Sequence, residues 1–315
     1  MLDDLLATLR VITLPTRTNF RGVTYREVAL MQGPQGWGEF SPFLEYDDNE
    51  CRPWLASAIE AATVARPARF RDEIAINGTI PELNDKKEIE ALMRTYVGAK
   101  TFKVKVGRNL NEDVIRVARV FSNAPKAAIR VDVNGLWSVD EALTNLYAYY
   151  EEIGPLEYVE QPCATVEELR ELKAKINIPL RIAADELIRK AADPFAVDLA
   201  GAADVLMLKV QPLGGIQRSL KIAAHHGLPV VVSSALESAI GIEYGLDLAA
   251  SIKDLNFDCG LATGSLLASD VAEHKITDGK IALGQISPQL DGLDVSPERY
   301  EWWKNRIMRV GALLT

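Results

Sequence analysis

The chain has 315 residues, 48% of them hydrophobic and 25% charged, which is typical of a globular protein with two domains or one large barrel plus an appendage. Its formal net charge of −9, without any basic block, argues against nucleic acid or an anionic membrane surface as a partner. An acidic N-terminus, no long uncharged apolar stretch and three cysteines without a CxxC pair predict a cytoplasmic protein with reduced thiols and no membrane span.

The first part of the chain, residues 1–73, is predicted to be an α+β capping domain. Residues 24–40 alternate apolar and polar positions around a Gly/Pro-rich turn, a pattern typical of a β-hairpin. Residues 49–65 follow with a helical pattern. We expect the last segment, residues 286–315, to pack back on this domain.

Residues 74–285 repeat short apolar strands, each followed by a helix candidate. The strand candidates are IAING, TFKVKV, AIRVDV, LEYVEQ, RIAADE, DVLMLKV, PVVVSS and CGLATG. From the second strand onward their centres are 24–29 residues apart, and helix-cap signals occur at Asn111, Ser138 and Thr165. Eight such units predict a parallel sheet closed as a β/α barrel. The alternative, a doubly wound open sheet, is disfavoured because no GxGxxG follows the first strand.

Three carboxylates occupy equivalent places in this barrel. The third, fourth and fifth strands end in Asp132, Glu160 and Asp185. Active sites of such barrels lie at the C-terminal strand ends, and neighbouring strands are only about 4.8 Å apart. Each acid alone could be a helix cap. Three anions in register instead predict a hard divalent cation between them, Mg²⁺ or in its place Mn²⁺.

Three lysines surround this position. Lys103 and Lys105 lie two apart, on one face of the second strand, and Lys209 ends the sixth strand after the apolar run VLML. Strands two and six are opposite in an eight-stranded barrel, so Lys105 and Lys209 are predicted to face each other across its mouth. A solvated face could explain the first pair but not a lysine after a buried strand. A neighbouring ammonium and a metal ion both lower a lysine pKa, which predicts Lys105 as a general base with Lys103 as its helper.

Five ordered motifs carry a family resemblance. TFKVKVG, RVDVNGLWSVDEA, YVEQPC, AADE and LKVQPLGGI are similar to motifs of the muconate-lactonising subgroup of the enolase superfamily. The resemblance covers nearly the whole chain and implies an α/β fold, a modified TIM-type (β/α)7β barrel with an N-terminal α+β capping domain. It also implies the same site residues: metal ligands Asp132, Glu160 and Asp185, and catalytic lysines Lys103, Lys105 and Lys209.

Within that subgroup, the short chain and the stretches GWGEFSPFLEYDD, SSALESAIG and GLATG resemble the dehydrating members of actinobacterial type. Those enzymes serve menaquinone biosynthesis. The resemblance implies a Mg²⁺-dependent hydro-lyase that removes water in the syn sense from 2-succinyl-6-hydroxy-2,4-cyclohexadiene-1-carboxylate, giving 2-succinylbenzoate through a metal-stabilised enediolate. Lys105 would take the proton and then assist departure of the hydroxyl, and Lys209 would stabilise the anion.

Two alternatives remain open at this point. An isomerase of the same subgroup, such as an N-succinylamino acid racemase, a dipeptide epimerase or a muconate cycloisomerase, would use the same ligands and lysines. A racemase would need both Lys105 and Lys209 to exchange protons. A barrel kept only for binding would be expected to have lost a ligand or a lysine, and all are present.

Further residues near the strand ends have predicted supporting roles. The expected substrate contacts are Asn134, Ser234, Gly260, Leu261 and Ala262. An ordinary loop is the alternative for the glycine-containing turn. Glu186, beside Asp185, is expected to hold a lysine in place. Loops at residues 14–20 and 43–46 are expected to close over the barrel mouth. The partner is a small carboxylate substrate, and the oligomeric state is open, with a monomer compatible with the sequence.

Overall fold

The computed structural model describes residues 2–20, 22–284 and 286–314. The N-terminal part of the chain forms a capping layer. This layer contains α1 (Leu2–Leu6), β1 (Arg10–Phe20), β2 (Val23–Gly33), β3 (Gly36–Phe40) and α2 (Asp48–Thr63). The three strands form an antiparallel sheet in the order β1-β2-β3, so the predicted hairpin is confirmed. The helix predicted at residues 49–65 is α2.

The segment 14–20 was predicted as a loop, and this was wrong. It belongs to β1, where Leu14 pairs with Arg26 and Pro15 with Tyr25 of β2. A proline is tolerated there because β1 is an edge strand of its sheet. Thr16 also forms a bridge to Leu267, which ties this strand to the barrel.

The barrel follows a short strand, β4 (Glu73–Ala75). Its seven parallel strands pair in chain order and are β5 (Gly78–Ile80), β6 (Thr101–Lys105), β7 (Ala128–Asp132), β8 (Tyr158–Glu160), β9 (Ile182–Ala184), β10 (Val205–Lys209) and β11 (Val230–Ser233). The helices between and after them are α3 (Lys86–Thr95), α4 (Leu110–Asn123), α5 (Val139–Ile153), α6 (Val166–Lys175), α7 (Glu186–Arg189), α8 (Ile216–His226) and α9 (Ala239–Ala250). The predicted alternation of strands and helices is confirmed.

The two ends of the predicted barrel differ from expectation. IAING is divided between β4, which joins β12 (Ile276–Thr277) and β13 (Lys280–Ala282) in a separate antiparallel sheet, and β5. CGLATG closes the barrel through two parallel bridges, Ile76 to Cys259 and Ser233 to Gly260, rather than as a full strand. A Cβ on Gly260 would lie 2.5 Å from Ser233 Oγ, so a larger residue there would displace the Ser233 side chain.

Local capping signals account for the helix starts. The predicted helix cap at Ser138 and the predicted capping box at Thr165 are confirmed, and both residues form capping boxes, with Glu141 and Glu168. The predicted cap at Asn111 was wrong by two residues. The N-cap is Asn109, whose side chain accepts a hydrogen bond from the Glu112 N–H at 3.2 Å.

The capping layer has its own apolar core, completed by the last helix, α10 (Pro297–Ala312). Trp303 of α10 lies edge-on to Phe40, with ring centroids 5.8 Å apart, and its indole N–H donates to Glu27 at 2.8 Å. A second, larger core lies between the barrel strands and the helices around them, and a small cluster that includes Tyr158, Val205 and Met207 fills the barrel interior. Across the described residues, no helix has the length and apolarity that crossing a membrane requires.

Candidate active site

Two lysines of β6 point into the barrel. Because side chains alternate along a strand, Lys103 and Lys105 share one face while Phe102 and Val104 pack in the apolar core. Lys103 Nζ lies 2.9 Å from Glu160 Oε2 and 3.2 Å from Asp132 Oδ2. Lys105 Nζ lies 2.5 Å from the same Asp132 oxygen. Both lysines are buried, so the solvated-face alternative is wrong.

The third lysine approaches from the other side of the mouth. Lys209, at the end of β10, places Nζ 2.5 Å from Asp185 Oδ2 and 3.9 Å from Glu160 Oε1. Glu160 is therefore flanked by Lys103 on one side and Lys209 on the other. The structure thus brings together all six residues predicted as metal ligands and catalytic lysines.

The electrostatics of the cluster follow from burial and from these pairs. Burial alone would lower the pKa of Lys103, but the charges of Glu160 and Asp132 outweigh it and hold that pKa above its usual range. Burial opposes ionisation of Asp132, yet Lys105 and Lys103 keep its pKa well below the ordinary value. Burial and the neighbouring Asp132 charge raise the pKa of Glu160 to about 7, against the opposing effect of Lys103. Because its pKa is raised, Lys103 carries a positive charge at neutral pH.

The free oxygens of the three carboxylates fit a cation. Asp132 Oδ1, Glu160 Oε1 and Asp185 Oδ1 are buried and have no hydrogen-bond partner. Buried carboxylate oxygens of this kind are ordinarily bonded, and an ion is one explanation for those that are not. In the described part of the chain, however, no three acidic, histidine or cysteine side chains converge closely enough to share a metal as they stand. Each carboxylate turns its other oxygen to a lysine instead.

Neighbouring polar groups hold this cluster in position. Asn134 Oδ1 accepts from Lys105 Nζ at 2.6 Å, and Asn134 Nδ2 donates to Glu186 Oε1 at 3.0 Å. Glu186 thus reaches Lys105 through Asn134. The Gln161 side chain accepts from the backbone N–H groups of Asp185 and Leu187, at 3.0 and 3.2 Å, which fixes the turn that carries Asp185.

Arg189 is a functional residue that sequence reasoning missed. Its guanidinium lies 3.3 Å from Asp185 and 2.6 Å from Glu186 Oε1, and it also donates to the Tyr46 hydroxyl at 3.4 Å. Its place four residues after Asp185, at the end of the single-turn helix α7, is the signal that could have indicated it.

The predicted substrate-binding residues are only partly collected at the site. Ser234 lines the same cavity as the lysines, but its hydroxyl donates to Gly260 O at 2.6 Å. The Gly260 N–H donates to Val232 O at 2.8 Å, so both backbone groups of this glycine serve the barrel wall. Leu261 and Ala262 line a separate cavity of about 690 Å³ behind this turn. Their contact with substrate stays a prediction.

The capping layer covers the mouth with aromatic side chains. Phe43, Tyr46 and Trp54 line the cavity above the lysines, so the loop at residues 43–46 lies where it was expected. Arg26 of β2 holds these aromatic side chains in place, because its guanidinium stacks 4.2 Å from the Phe43 ring centroid and donates to the Leu236 carbonyl at 3.1 Å. The enclosed cavity is about 30 Å³, room for one or two waters.

Comparison with known proteins identifies the family. A family model described as enolase N-terminal domain-like matches residues 11–62, and one described as enolase C-terminal domain-like matches residues 86–299. The o-succinylbenzoate synthase of Mycobacterium ulcerans (strain Agy99) is 51% identical, over 99% of this chain and 96% of the relative. The chain belongs to the o-succinylbenzoate synthase family of the enolase superfamily. The synthase of Mycolicibacterium smegmatis is 48% identical, over 99% of this chain and 98% of its own.

Solved structures agree on the fold. Muconate cycloisomerase from Pseudomonas fluorescens superposes with a TM-score of 0.71 at 21% identity, over 93% of this chain and 96% of that one. The L-Ala-D/L-Glu epimerase from Bacillus subtilis superposes with a TM-score of 0.74 at 21% identity, over 88% of this chain and 95% of that one. The predicted barrel class, the family resemblance and the prediction of an enzyme rather than a non-catalytic barrel are confirmed.

Proposed function

We propose that this chain catalyses the dehydration of 2-succinyl-6-hydroxy-2,4-cyclohexadiene-1-carboxylate to 2-succinylbenzoate, a step of menaquinone biosynthesis. The observation that carries the proposal is the pair of buried lysines, Lys105 and Lys209, held on opposite sides of one carboxylate cluster. Membership in the o-succinylbenzoate synthase family supplies the reaction.

A divalent ion, most suitably Mg²⁺, would be held by Asp132, Glu160 and Asp185 through their unbonded oxygens. When bound, it supplies charge neutralisation for the anion that develops when a proton beside a carboxylate is removed. The site contains four carboxylates (Asp132, Glu160, Asp185, Glu186) and four cations (Lys103, Lys105, Lys209, Arg189). With Lys105 neutral as the base, a dication added to this set leaves a net charge of about +1, which favours an anionic substrate.

The protein groups then divide the proton chemistry. Lys105 takes the proton adjacent to the ring carboxylate and returns it to the departing hydroxyl on the same face. Lys103, fixed as a cation by Glu160, favours the neutral form of Lys105. Lys209 stabilises the enediolate by its charge. Asn134 and Glu186 orient Lys105, and the aromatic cover excludes water.

The capping layer is proposed as the substrate-selecting part of the enzyme, with a boundary near residue 74 and residues 286–315 as its C-terminal component. The loop at residues 43–46 would close on substrate. Ser234 and the turn from Gly260 to Ala262 would bind the succinyl carboxylate once the turn is displaced. The acidic composition and reduced cysteines support the cytoplasm as the compartment.

The decisive experiment is a turnover assay of the purified chain with Mg²⁺ on the cyclohexadiene carboxylate, beside a panel of N-succinylamino acids in D₂O. We expect 2-succinylbenzoate as the product. An isomerase is the second candidate, because Lys105 and Lys209 face the cluster from two sides, as a two-base mechanism needs. Enantiomer-specific α-deuteration of the amino acids without dehydration would replace the synthase assignment by the isomerase.

A further inference from the structure

A second cavity adjoins the candidate active site. It has a volume of about 470 Å³ and lies between the start of α2 and the segments that follow β9 and β10. Tyr46, Trp54 and Arg189 line both this cavity and the one above the lysines. These side chains therefore form part of the wall between the two spaces, and the contact between Arg189 and the Tyr46 hydroxyl, at 3.4 Å, is a long hydrogen bond.

The walls of this cavity are strongly cationic. Besides Arg189 they include Arg52, Lys190 and Arg218, and Glu50 is the one acidic residue among its described lining residues. Arg189 is neutralised by Asp185 and Glu186. Arg52, Lys190 and Arg218 have no ion pair with any residue that the structure describes. Three cations without an ion pair therefore surround one concavity.

The charge of the whole molecule makes the cationic walls of this cavity significant. The product of the proposed reaction carries two carboxylates. Because the protein has a formal net charge of −9, its overall electrostatic field repels this dianion. A cleft lined by one sign of charge concentrates a ligand of the opposite sign and can raise its association rate by about 10- to 1,000-fold. The space of about 30 Å³ above the lysines does not hold a dicarboxylate, so the side chains around it must move when the ligand enters.

We propose that this cavity is the entry site for dicarboxylates, where Arg52, Lys190 and Arg218 collect the anion before it passes Tyr46 and Arg189 to reach the lysines. The proposal rests on the proposed function, which supplies the dianion. The separate cavity of about 690 Å³ is a less suitable site, since its described lining residues include Asp270 and Glu273 but only one arginine, Arg17.

The test measures the association rate of o-succinylbenzoate by stopped-flow tryptophan fluorescence, because Trp54 lines both cavities. Arg52→Glu and Arg218→Glu are compared with Lys126→Glu, which changes net charge equally. Lys126 is exposed and lies before β7, at the opposite end of the barrel. At low salt we expect each entry-site variant to associate about 3- to 10-fold more slowly than the control, and the double variant more slowly still.

Salt provides the second arm of the experiment. At about 0.5 M salt, where exposed charges are screened over a few ångströms, the rates of all variants should converge. Equal rates for the entry-site variants and Lys126→Glu at low salt would overturn the proposal. A deficit that persists unchanged at high salt would also overturn it, since it would indicate a packing effect. Wild-type turnover of the cyclohexadiene carboxylate is measured first, and its absence would refute the proposed function and not merely the entry site.

Discussion

The side chains that contact Lys105 determine what a substitution there does. Its Nζ contacts Asp132 and Asn134, so Lys105→Arg keeps a cation for both partners. A guanidinium stays protonated and cannot act as a base. We therefore expect both Lys105→Ala and Lys105→Arg to lower kcat by at least about 100-fold, with Lys105→Arg closer to wild type in stability.

Lys209 provides the comparison, because its proposed role is charge alone. Lys209→Arg retains the charge beside Asp185 and is expected to keep measurable dehydration, whereas Lys209→Ala is not. The assay is steady-state turnover of the cyclohexadiene carboxylate, with thermal unfolding to verify folding. Retention of full activity in Lys105→Arg would rule out this lysine as the base.

The three carboxylates permit a test of the metal that does not depend on turnover. We expect Asp132→Asn, Glu160→Gln and Asp185→Asn to weaken Mg²⁺ binding measured by calorimetry, by at least about 10-fold each, since each removes one anionic ligand. Asp198→Asn is the control, because Asp198 is an exposed acid that pairs with Arg170. EDTA should abolish turnover, and Mg²⁺ or Mn²⁺ should restore it. Unchanged Mg²⁺ affinity in all three variants would contradict the ligand assignment.

At the scale of elements, two glutamates of the capping layer serve as caps for barrel helices. Glu60 of α2 accepts from the Ile216 and Gln217 N–H groups at 2.7 and 3.1 Å, at the start of α8. Glu39 of β3 accepts from the Ser238 and Gly241 N–H groups at 3.2 and 2.9 Å, at the start of α9. Helix N-termini favour negative charge, so these contacts dock the layer on the barrel.

Glu60 is the better of the two for an experiment, since α8 has Gly215 as its N-cap and no capping side chain of its own. Gly215 has φ +106°, and a Cβ there would lie 2.7 Å from the Glu60 carboxylate. We expect Glu60→Ala to lower the free energy of unfolding by about 1–2 kcal/mol in chemical denaturation. Glu50→Ala, an exposed change in the same helix, should cost much less. An equal effect of both would exclude the capping role.

Sequence patterns predict features that arise from residues close together in the sequence. The lysines of β6 and the strand-end acids follow from the periodicity of the strands. The caps at Ser138 and Thr165 follow from the short spacing between each of these residues and a glutamate. Arg26 and Glu60 act through partners far along the chain, Leu236 for Arg26 and the start of α8 for Glu60, and no local pattern encodes those pairs. The same applies to β1, because its extended conformation depends on pairing with β2 and on contact with Leu267.

At the scale of the whole molecule, stability should depend on pH through carboxyls buried where the capping layer meets the barrel. Glu237 is buried, accepts from the Ala235 N–H at 2.6 Å and has a pKa raised to about 7 by burial and by the charge of Glu39. The folded state then binds more protons than the unfolded state between about pH 4.3 and 7. The Glu237 contribution to stability is therefore largest in acid and is lost as pH rises through that window.

Glu237→Gln isolates this effect, because the amide keeps an acceptor for Ala235 and cannot ionise. Relative to wild type, the variant should gain stability as pH rises from about 4.5 to 7, by about 1.4 kcal/mol per pH unit at most, and the gain should then level off. Denaturant unfolding at several pH values measures it. A stability difference that is independent of pH would show that Glu237 does not carry a raised pKa.

The position of α10 in the chain has a consequence for how the protein is made. Trp303 fills the capping core beside Phe40, yet it is translated after every strand of the barrel. On the ribosome, the barrel can close while Phe40 and Trp54 still lack that neighbour, and the nascent chain then displays an apolar surface over a finished barrel. Chaperone binding should therefore be strongest late in synthesis and should end when α10 leaves the exit tunnel.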